Sequence, residues 1–248
     1  MRRKPDAKSF ANSSKASIFE ACVPAMDWKD VKIHVLDFEG SVRTGIVEYG
    51  VATLLGGRIV SAATRLCSVR EPIPIEESEI HGIFDEDIEG NPPIEADWDF
   101  FLHLRKTGLL GSHHAPAEIG MLSAVWQFPG TVPDFSLESR PPTNNWGPWI
   151  DTCKIAKEWF PHERKHNLGT LIERFELSER VDADAKKFCP KTRSRYHCAL
   201  YDAIAAAHLL VNMCEHPAFA RSTILDLVRA SSGAKRFQNH IQAEFDFF

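Results

Sequence analysis

The chain has 248 residues, of which 44% are hydrophobic and 25% are charged, and its formal net charge is −5. These values are typical of a globular protein that is long enough to bury a sizeable core. No apolar run reaches the roughly 18 residues that a membrane-spanning helix needs, so no membrane span is expected. The negative charge argues against a broad basic surface that coats nucleic acid, although it allows local binding to the end of one strand.

The cysteine pattern and the N-terminus predict a cytoplasmic protein. The six cysteines are scattered and include no CxxC pair, which indicates reduced thiols instead of a disulfide frame or a zinc site. The segment Met1–Asp6 is basic but is not followed by the apolar core of a secretion signal. Residues 1–28 are rich in Ser, Ala and Lys, and we expect them to form a mobile leader.

The hydrophobic patterning predicts a hairpin followed by alternating strands and helices. The predicted strands are 31–37, 46–54, 58–67 and 109–113, with Gly56 and Gly57 forming the turn of the hairpin. The predicted helices are 98–106, 118–127, 151–160, 168–175 and 196–214. Residues 128–149 and 182–195 are predicted to be irregular. This order predicts an α/β domain, a mixed sheet covered by helices over residues 29–215, followed by a C-terminal helix and tail over 216–248.

Two acids separated by one residue follow the first apolar run. Asp37 and Glu39 project to the same side of a strand and Phe38 to the other, because strand side chains alternate. Two adjacent carboxylates repel each other unless a cation lies between them, and oxygen ligands suit Mg²⁺ or Mn²⁺. Such a pair alone is more often part of a solvated loop, so its meaning depends on further acids.

Three further polar residues occur later in the chain. Glu118 lies in the first turn of a predicted helix, where the helix dipole favours a negative charge, although an ordinary first-turn glutamate would look the same. Asp202 lies in an Ala-rich helix that can pack closely on a sheet, and burying it would require a partner such as a metal. His197 lies five residues earlier, so at the helix start its ring can reach the site toward which Asp202 points.

Taken in order, these segments resemble the motifs of the DEDDh family of 3′–5′ exonucleases, which includes the proofreading exonuclease of bacterial DNA polymerase III. The resemblance covers roughly residues 31–212. The matching segments are Asp37-Phe38-Glu39, His113-His114-Ala115 with Glu118, and His197-Cys198-Ala199-Leu200-Tyr201-Asp202-Ala203. Two connecting segments, Ile80-His81-Gly82-Ile83 and the stretch 151–171, are also similar to the family.

The resemblance implies a ribonuclease H-like fold, with a mixed sheet flanked by helices, and a two-metal hydrolysis of nucleic-acid 3′ ends. In this interpretation Asp37, Glu39, Asp202 and Glu118 bind two Mg²⁺ or Mn²⁺ ions, and His197 is the general base. The implied products are nucleoside 5′-monophosphates, with DNA the favoured substrate. The residues implied to contact the substrate are Phe38, Gly40, Ser41, His81 and His113.

The chain departs from the family pattern at two places. Glu118 replaces the usual Asp of the second motif, and one extra methylene moves the carboxylate by about 1.5 Å. Gly40-Ser41 replaces the usual Thr-Thr or Thr-Gly near the terminal nucleotide. The first departure motivates an alternative in which the domain is a catalytically weakened nucleic-acid-binding module, and RNA trimming is a second alternative that no residue separates from DNA cleavage.

The C-terminal peptide Glu244–Phe248 partly resembles the short motif by which bacterial repair proteins bind the sliding clamp. Only Asp246 and Phe248 fit that pattern directly, and aromatic residues folded back onto the domain are the competing interpretation.

Overall fold

The computed structural model of the protein describes residues 26–233. The strands are β1 (Ile33–Ser41), β2 (Gly45–Leu55), β3 (Arg58–Leu66), β4 (Leu109–Ser112), β5 (Val132–Pro133), β6 (Pro142–Thr143) and β7 (Trp149–Asp151). The α-helices are α1 (Ile75–His81), α2 (Asp85–Ile88), α3 (Trp98–Thr107), α4 (Pro116–Val125), α5 (Thr152–Trp159), α6 (Leu168–Arg174), α7 (Ser178–Phe188), α8 (Ala199–Glu215) and α9 (Ile224–Ser232). Short 3₁₀ helices occur at Trp28–Asp30 and Ile94–Asp97. None of the helices described is long and apolar enough to cross a bilayer.

Five of the strands form one mixed sheet in the order β3-β2-β1-β4-β7. The strands β1, β2 and β3 are antiparallel neighbours, joined between β2 and β3 by the predicted Gly56-Gly57 turn. The strands β4 and β7 add to the sheet in parallel with β1, each after a helical connection. The predicted mixed α/β sheet is therefore confirmed.

The two faces of the sheet pack against different helices, and β1 contributes to both by alternation. Ile33 and Val35 enter the larger core, which contains the buried residues of α8. Leu36 and Phe38 enter the core on the other face, with residues of α3 and α4. Asp37 and Glu39 continue the row of Ile33 and Val35, so the alternation of the strand directs both acids to the face that α8 covers.

Gly50 of β2 allows α8 to approach this face closely. Gly50 lies opposite Asp37 in the sheet. A Cβ at Gly50 would lie 2.2 Å from the carbonyl carbon of Ala199 and from the amide nitrogen of Leu200, a separation that no side chain tolerates. The missing side chain therefore brings the first turn of α8 onto β2 beside Asp37.

Several predicted boundaries differ from the structure. β1 runs on to Ser41 instead of ending at residue 37, because its pairing with β2 continues past both acids. The range 182–195 was expected to be irregular, but its first half belongs to α7, whose Val181 and Ala185 are buried. That expectation was wrong because the polar face of this amphipathic helix hides its apolar stripe. In the predicted helix 151–160, Asp151 is the last residue of β7 and caps α5.

The predicted irregular segment 128–149 contains the two-residue strands β5 and β6, and its last residue, Trp149, begins β7. Arg105 of α3, which is fully buried, holds this segment by donating from Nη1 to the carbonyl of Pro133 and from Nη2 to that of Gly147, each at 2.6 Å. Carbonyl groups that a loop buries need donors, and one guanidinium supplies two.

The division of the chain into a leader, a domain and a C-terminal helix stays a prediction. Residues 1–25 of the expected leader lie outside the described residues. Trp28 is buried in the core, and Asp27 forms a β-bridge with Thr223. The amide of Asp151 donates to Ser231 Oγ of α9 at 2.8 Å, so α9 lies directly against the edge of the sheet.

Candidate active site

Asp37 and Glu39 lie beside an irregularity in the pairing of β1 with β2. The pairing of β1 with β2 shifts register between Glu39 and Gly40. Gly40 has φ +112°, and a Cβ there would lie 2.2 Å from the carbonyl oxygen of Gly45. Only glycine fits such a position, and bulges of this kind are frequent next to active sites. The departure of Gly40 from the family pattern therefore has a local backbone cause.

The start of α8 supplies Asp202 and His197. Cys198 is the N-cap residue of α8, so His197 precedes the helix, which was predicted to begin at residue 196. His197 adopts φ +61°, in the left-handed region, and its backbone N–H donates to Asp202 Oδ2 at 2.9 Å. This hydrogen bond joins the residue before the helix to the first turn of α8.

Three of the predicted catalytic side chains lie close together. One ligand atom each from Glu39, His197 and Asp202 lie within 4.8 Å of one another. Glu39 and Asp202 are each 8% exposed, whereas His197 is exposed. The two buried acids therefore lie beside an exposed histidine.

Burial and mutual repulsion disfavour ionisation of these acids. Burial, followed by the charges of Asp202 and Glu39, raises the pKa of Asp37 well above its usual range. Burial and Asp202 raise the pKa of Glu39 to about 8, and burial raises that of Asp202 to about 7. Carboxylates that repel each other this strongly are stabilised as anions only by added positive charge.

Glu118, the remaining acid of the predicted set, lies on a different element from the others, the helix α4. It lies in the first turn of α4, is 5% exposed, and accepts a hydrogen bond from Ser112 Oγ at 3.3 Å. Burial raises its pKa to about 8. Glu118 lies outside the group that meets at Glu39, but its charge is among those that raise the pKa of Asp37.

Asp151 holds the turn that leads to Glu118, and the sequence did not assign it this role. Its carboxylate accepts hydrogen bonds from the backbone N–H groups of His114 at 3.3 Å, Ala115 at 3.2 Å and Lys154 at 3.0 Å. Asp151 therefore caps α5 and fixes the β4–α4 turn with the same side chain.

The donor set fits a hard divalent cation. Asp202 Oδ1 is buried and has no hydrogen-bond partner among residues 26–233. A buried carboxylate oxygen without a donor costs free energy, and a cation is the natural partner when the neighbouring groups are also carboxylates. The ligand set therefore agrees with the predicted use of Mg²⁺ or Mn²⁺.

The residues predicted to contact the substrate differ in their placement. Gly40 and Ser41 are the last residues of β1, next to the acids, and Ser41 Oγ accepts from the amide of Thr44 at 3.0 Å. Phe38 is 5% exposed, with its ring 5.9 Å from that of Phe101, so its side chain belongs to the core. This burial argues against a side-chain contact with substrate.

Both predicted substrate histidines make internal hydrogen bonds. His113 uses Nδ1 with Thr152 Oγ1 at 2.9 Å and Nε2 with the carbonyl of His166 at 2.8 Å. His81 is 2% exposed and accepts from the amide of Ile83 at 3.1 Å, while its buried Nε2 has no partner among the described residues. Their predicted substrate contacts stay predictions.

Two residues near the acids were not singled out from the sequence. Glu48 of β2 lies directly opposite Glu39 and is 2% exposed, and Arg193 forms an ion pair with it. The predicted Gly56-Gly57 turn joins β2 to β3 and does not set the β1–β2 register that places Glu48 across from Glu39, so the sequence pattern did not identify Glu48. Arg193 lies in a loop, whose path no periodicity predicts.

The raised pKa values predict that divalent metal stabilises the protein more at pH 8 than at pH 6.5. An acid whose folded pKa is raised binds more protons folded than unfolded, so between about pH 4 and 8 the metal-free protein loses stability as the pH rises. Mg²⁺ or Mn²⁺ at about 100 times its Kd should raise the melting temperature at pH 8 by about 5–10 °C. Differential scanning calorimetry with and without metal measures this shift.

Protonation of His34 and His113 also changes the stability of the fold with pH. Burial lowers the pKa of each to about 4, so both stabilise the fold above the unfolded pKa of 6.5 and lose that effect as the pH falls toward 4. Comparing pH 6.5 with pH 8 keeps their contribution nearly constant. Asp99→Asn, which changes an exposed acid of α3, is the matched control; equal metal shifts at the two pH values would contradict the prediction.

Comparisons with known proteins were made for the sequence and for the structure. No protein-family model matches the chain. The DNA polymerase III PolC-type of Halalkalibacterium halodurans is 27% identical over 198 residues, which cover 78% of this chain and 12% of the polymerase. The corresponding polymerase of Streptococcus pyogenes serotype M18 is 24% identical over 206 residues, covering 79% of this chain and 12% of the polymerase. The chain thus spans 12% of the length of these curated relatives.

The structure is similar to solved exonucleases. Exonuclease X in complex with 5′-overhanging duplex DNA matches with a TM-score of 0.55 and 22% identity, over 79% of this chain and 99% of that one. The nuclease domain of 3′hExo, a DEDDh family member bound to rAMP, matches with a TM-score of 0.53 and 17% identity, over 77% and 94% of the two chains. The predicted ribonuclease H-like fold and the resemblance to DEDDh exonucleases are confirmed.

Proposed function

We propose that this protein is a metal-dependent 3′–5′ exonuclease that releases nucleoside 5′-monophosphates from nucleic-acid ends. The observation that carries the proposal is the meeting of Glu39, Asp202 and His197, with ligand atoms within 4.8 Å, beside Asp37. The order of these residues along β1 and α8 is that of the DEDDh motifs, and the fold is shared with exonucleases of that family.

In this proposal Asp37, Glu39 and Asp202 hold Mg²⁺ or Mn²⁺ directly, and Glu118 completes a site for two ions. The bound metal would supply Lewis acidity for the phosphate and for the attacking water. His197 takes a proton from that water, because its exposed ring lies on the solvent side of the buried acids. Asp202 assists by accepting the backbone N–H of His197 and thereby fixing the residue that carries the ring.

DNA is the favoured substrate in this proposal, because the relatives that match the sequence are named as DNA polymerases. The alternative is RNA trimming, which the likeness to the 3′hExo domain bound to rAMP keeps open. The decisive experiment follows nucleotide release from single-stranded DNA, duplex DNA with a recessed 3′ end, and RNA, each labelled at the 5′ end. Stepwise shortening with Mg²⁺ or Mn²⁺, abolished by EDTA, is expected; a lack of shortening on all three substrates would refute the proposal.

The competing function is a nucleic-acid-binding module that has lost catalysis, which the Glu118 substitution motivates. The grouping of Glu39, Asp202 and His197 in one cluster argues against it. Binding of a 3′ end that is unchanged by metal and followed by no cleavage would favour the module.

The predicted clamp-binding peptide Glu244–Phe248 lies outside the described residues and stays a prediction, as does the cytoplasmic location.

Replacing Glu118 with Asp should preserve or raise the activity. The shorter side chain restores the acid that the family usually has and withdraws the carboxylate by about 1.5 Å. Steady-state rates with Mg²⁺ and with Mn²⁺ measure the effect, and Glu118→Gln is the matched variant that keeps the length but loses the charge. An inactive but folded Glu118→Asp would show instead that this site is adapted to the longer side chain.

A further inference from the structure

Glu48 adds another carboxylate to the face that carries the catalytic acids. It lies opposite Glu39 in the sheet and is 2% exposed. Its charge is among those that raise the pKa values of Asp37, Glu39 and Asp202. A buried acid in this position is costly unless it is paired, so its partners are informative.

Arg193 pairs with Glu48 through two hydrogen bonds. Nε donates to Oε1 at 3.0 Å and Nη2 donates to Oε2 at 2.5 Å. The backbone N–H of Ala199, at the start of α8, also donates to Glu48 Oε2 at 3.0 Å. Glu48 therefore joins β2 to the beginning of the helix that carries Asp202.

The remaining donors of Arg193 reach two other segments. Nη1 donates to the carbonyl of His81 at 2.8 Å, and Nη2 lies 3.4 Å from the carbonyl of His197. One guanidinium thus links β2, the end of α1 and the residue before α8. A planar group with several fixed donors can do this, whereas the single ammonium of lysine cannot.

We propose that Arg193 and Glu48 form a positioning pair, which holds the backbone of His197 so that its ring stays beside Glu39 and Asp202. The inference rests on the proposed function, because it assigns His197 a part in hydrolysis. His197 has an exposed side chain and a left-handed φ, so core packing does not fix it. Its amide is held by Asp202, and its carbonyl is held by Arg193.

This role differs measurably from that of a salt bridge that only stabilises the fold. A positioning pair acts on the rate through His197, so its loss lowers kcat and leaves KM nearly unchanged. A displacement of about 1 Å can cost about 10²-fold in rate. A merely structural pair would instead lower the melting temperature without changing kcat of the folded enzyme.

The test uses Arg193→Lys, which keeps the charge, and Arg193→Ala, to which free guanidinium is added. We expect kcat to fall about 10²-fold in both variants, with KM changed less than about threefold, and millimolar guanidinium to restore part of the rate of Arg193→Ala only. Arg174→Ala is the control. Arg174, the last residue of α6, forms an exposed ion pair with Glu163, and this variant should keep full activity. Melting curves establish that each variant is folded, and the Lys variant keeps the test decisive if the Ala variant does not fold.

A double-mutant cycle separates this inference from the proposed function. In a His197→Ala background, Arg193→Lys should lower the residual rate by less than about twofold, because its effect passes through the missing ring. Additive losses, or full kcat in folded Arg193→Lys, would overturn the positioning role while leaving the nuclease proposal intact. Absence of metal-dependent cleavage by the wild-type protein would overturn both.

Discussion

Replacing Asp37 with Asn should abolish nucleotide release at every Mg²⁺ or Mn²⁺ concentration tested. Asn keeps the size of the side chain but removes the charge that a divalent ion requires, and the charges of the other acids all act on Asp37. Metal ions contribute several kcal/mol to such reactions, and each 1.36 kcal/mol is tenfold, so a loss of about 10³-fold or more is expected. A sensitive end-labelled assay measures the residual rate.

The same variant should make the metal-free protein more stable at pH 8. Asp37 is an acid whose pKa burial and its neighbours raise, so its ionisation opposes folding at that pH, and a neutral Asn removes this cost. Asp99→Asn on the exposed side of α3 is the control and should change neither property. Full activity of a contaminant-free Asp37→Asn protein would remove Asp37 from the metal site.

The strand acids could be predicted because alternation along a strand is a local property. The apolar row of Ile33 and Val35 determines which face Asp37 shares. The Ala-rich pattern predicted the helix itself but not its start, which was expected at residue 196 and lies at Ala199, so that His197 precedes it. The face of a strand acid depends on a few neighbouring residues, so it can be predicted from the sequence.

The support around the acids could not be predicted, because it depends on contacts between distant segments. Arg193 reaches Glu48 across 145 positions of the chain, and Gly50 sets how closely α8 approaches β2. Phe38 is a related case, since its ring packs on Phe101 and is buried, which the motif alone does not indicate, and its substrate contact stays a prediction. Motifs identify the reacting groups, whereas packing decides which neighbours hold them.

Replacing His197 with Ala should lower kcat by about 10²–10⁴-fold near neutral pH, the usual contribution of a general base. The ring lies beside Glu39 and Asp202 but is exposed, so its removal leaves the buried acids in place. Metal-induced stabilisation should therefore persist in this variant, unlike in Asp37→Asn. Calorimetry and kinetics on the same preparation distinguish the two roles.

The pH dependence and chemical rescue make the assignment of His197 specific. A general base acts in its unprotonated form. With metal saturating at every pH, so that protonation of the acids does not limit the rate, the acidic limb should disappear in His197→Ala, and added imidazole should restore part of the rate. His197→Asn is a second variant, because Asn tolerates the φ of +61° better than most residues and so leaves the backbone undisturbed. Exposed His162→Ala is the control. If His197→Asn retained the wild-type rate and pH profile, the proton would have to leave the attacking water by another route, and the acids alone would account for catalysis.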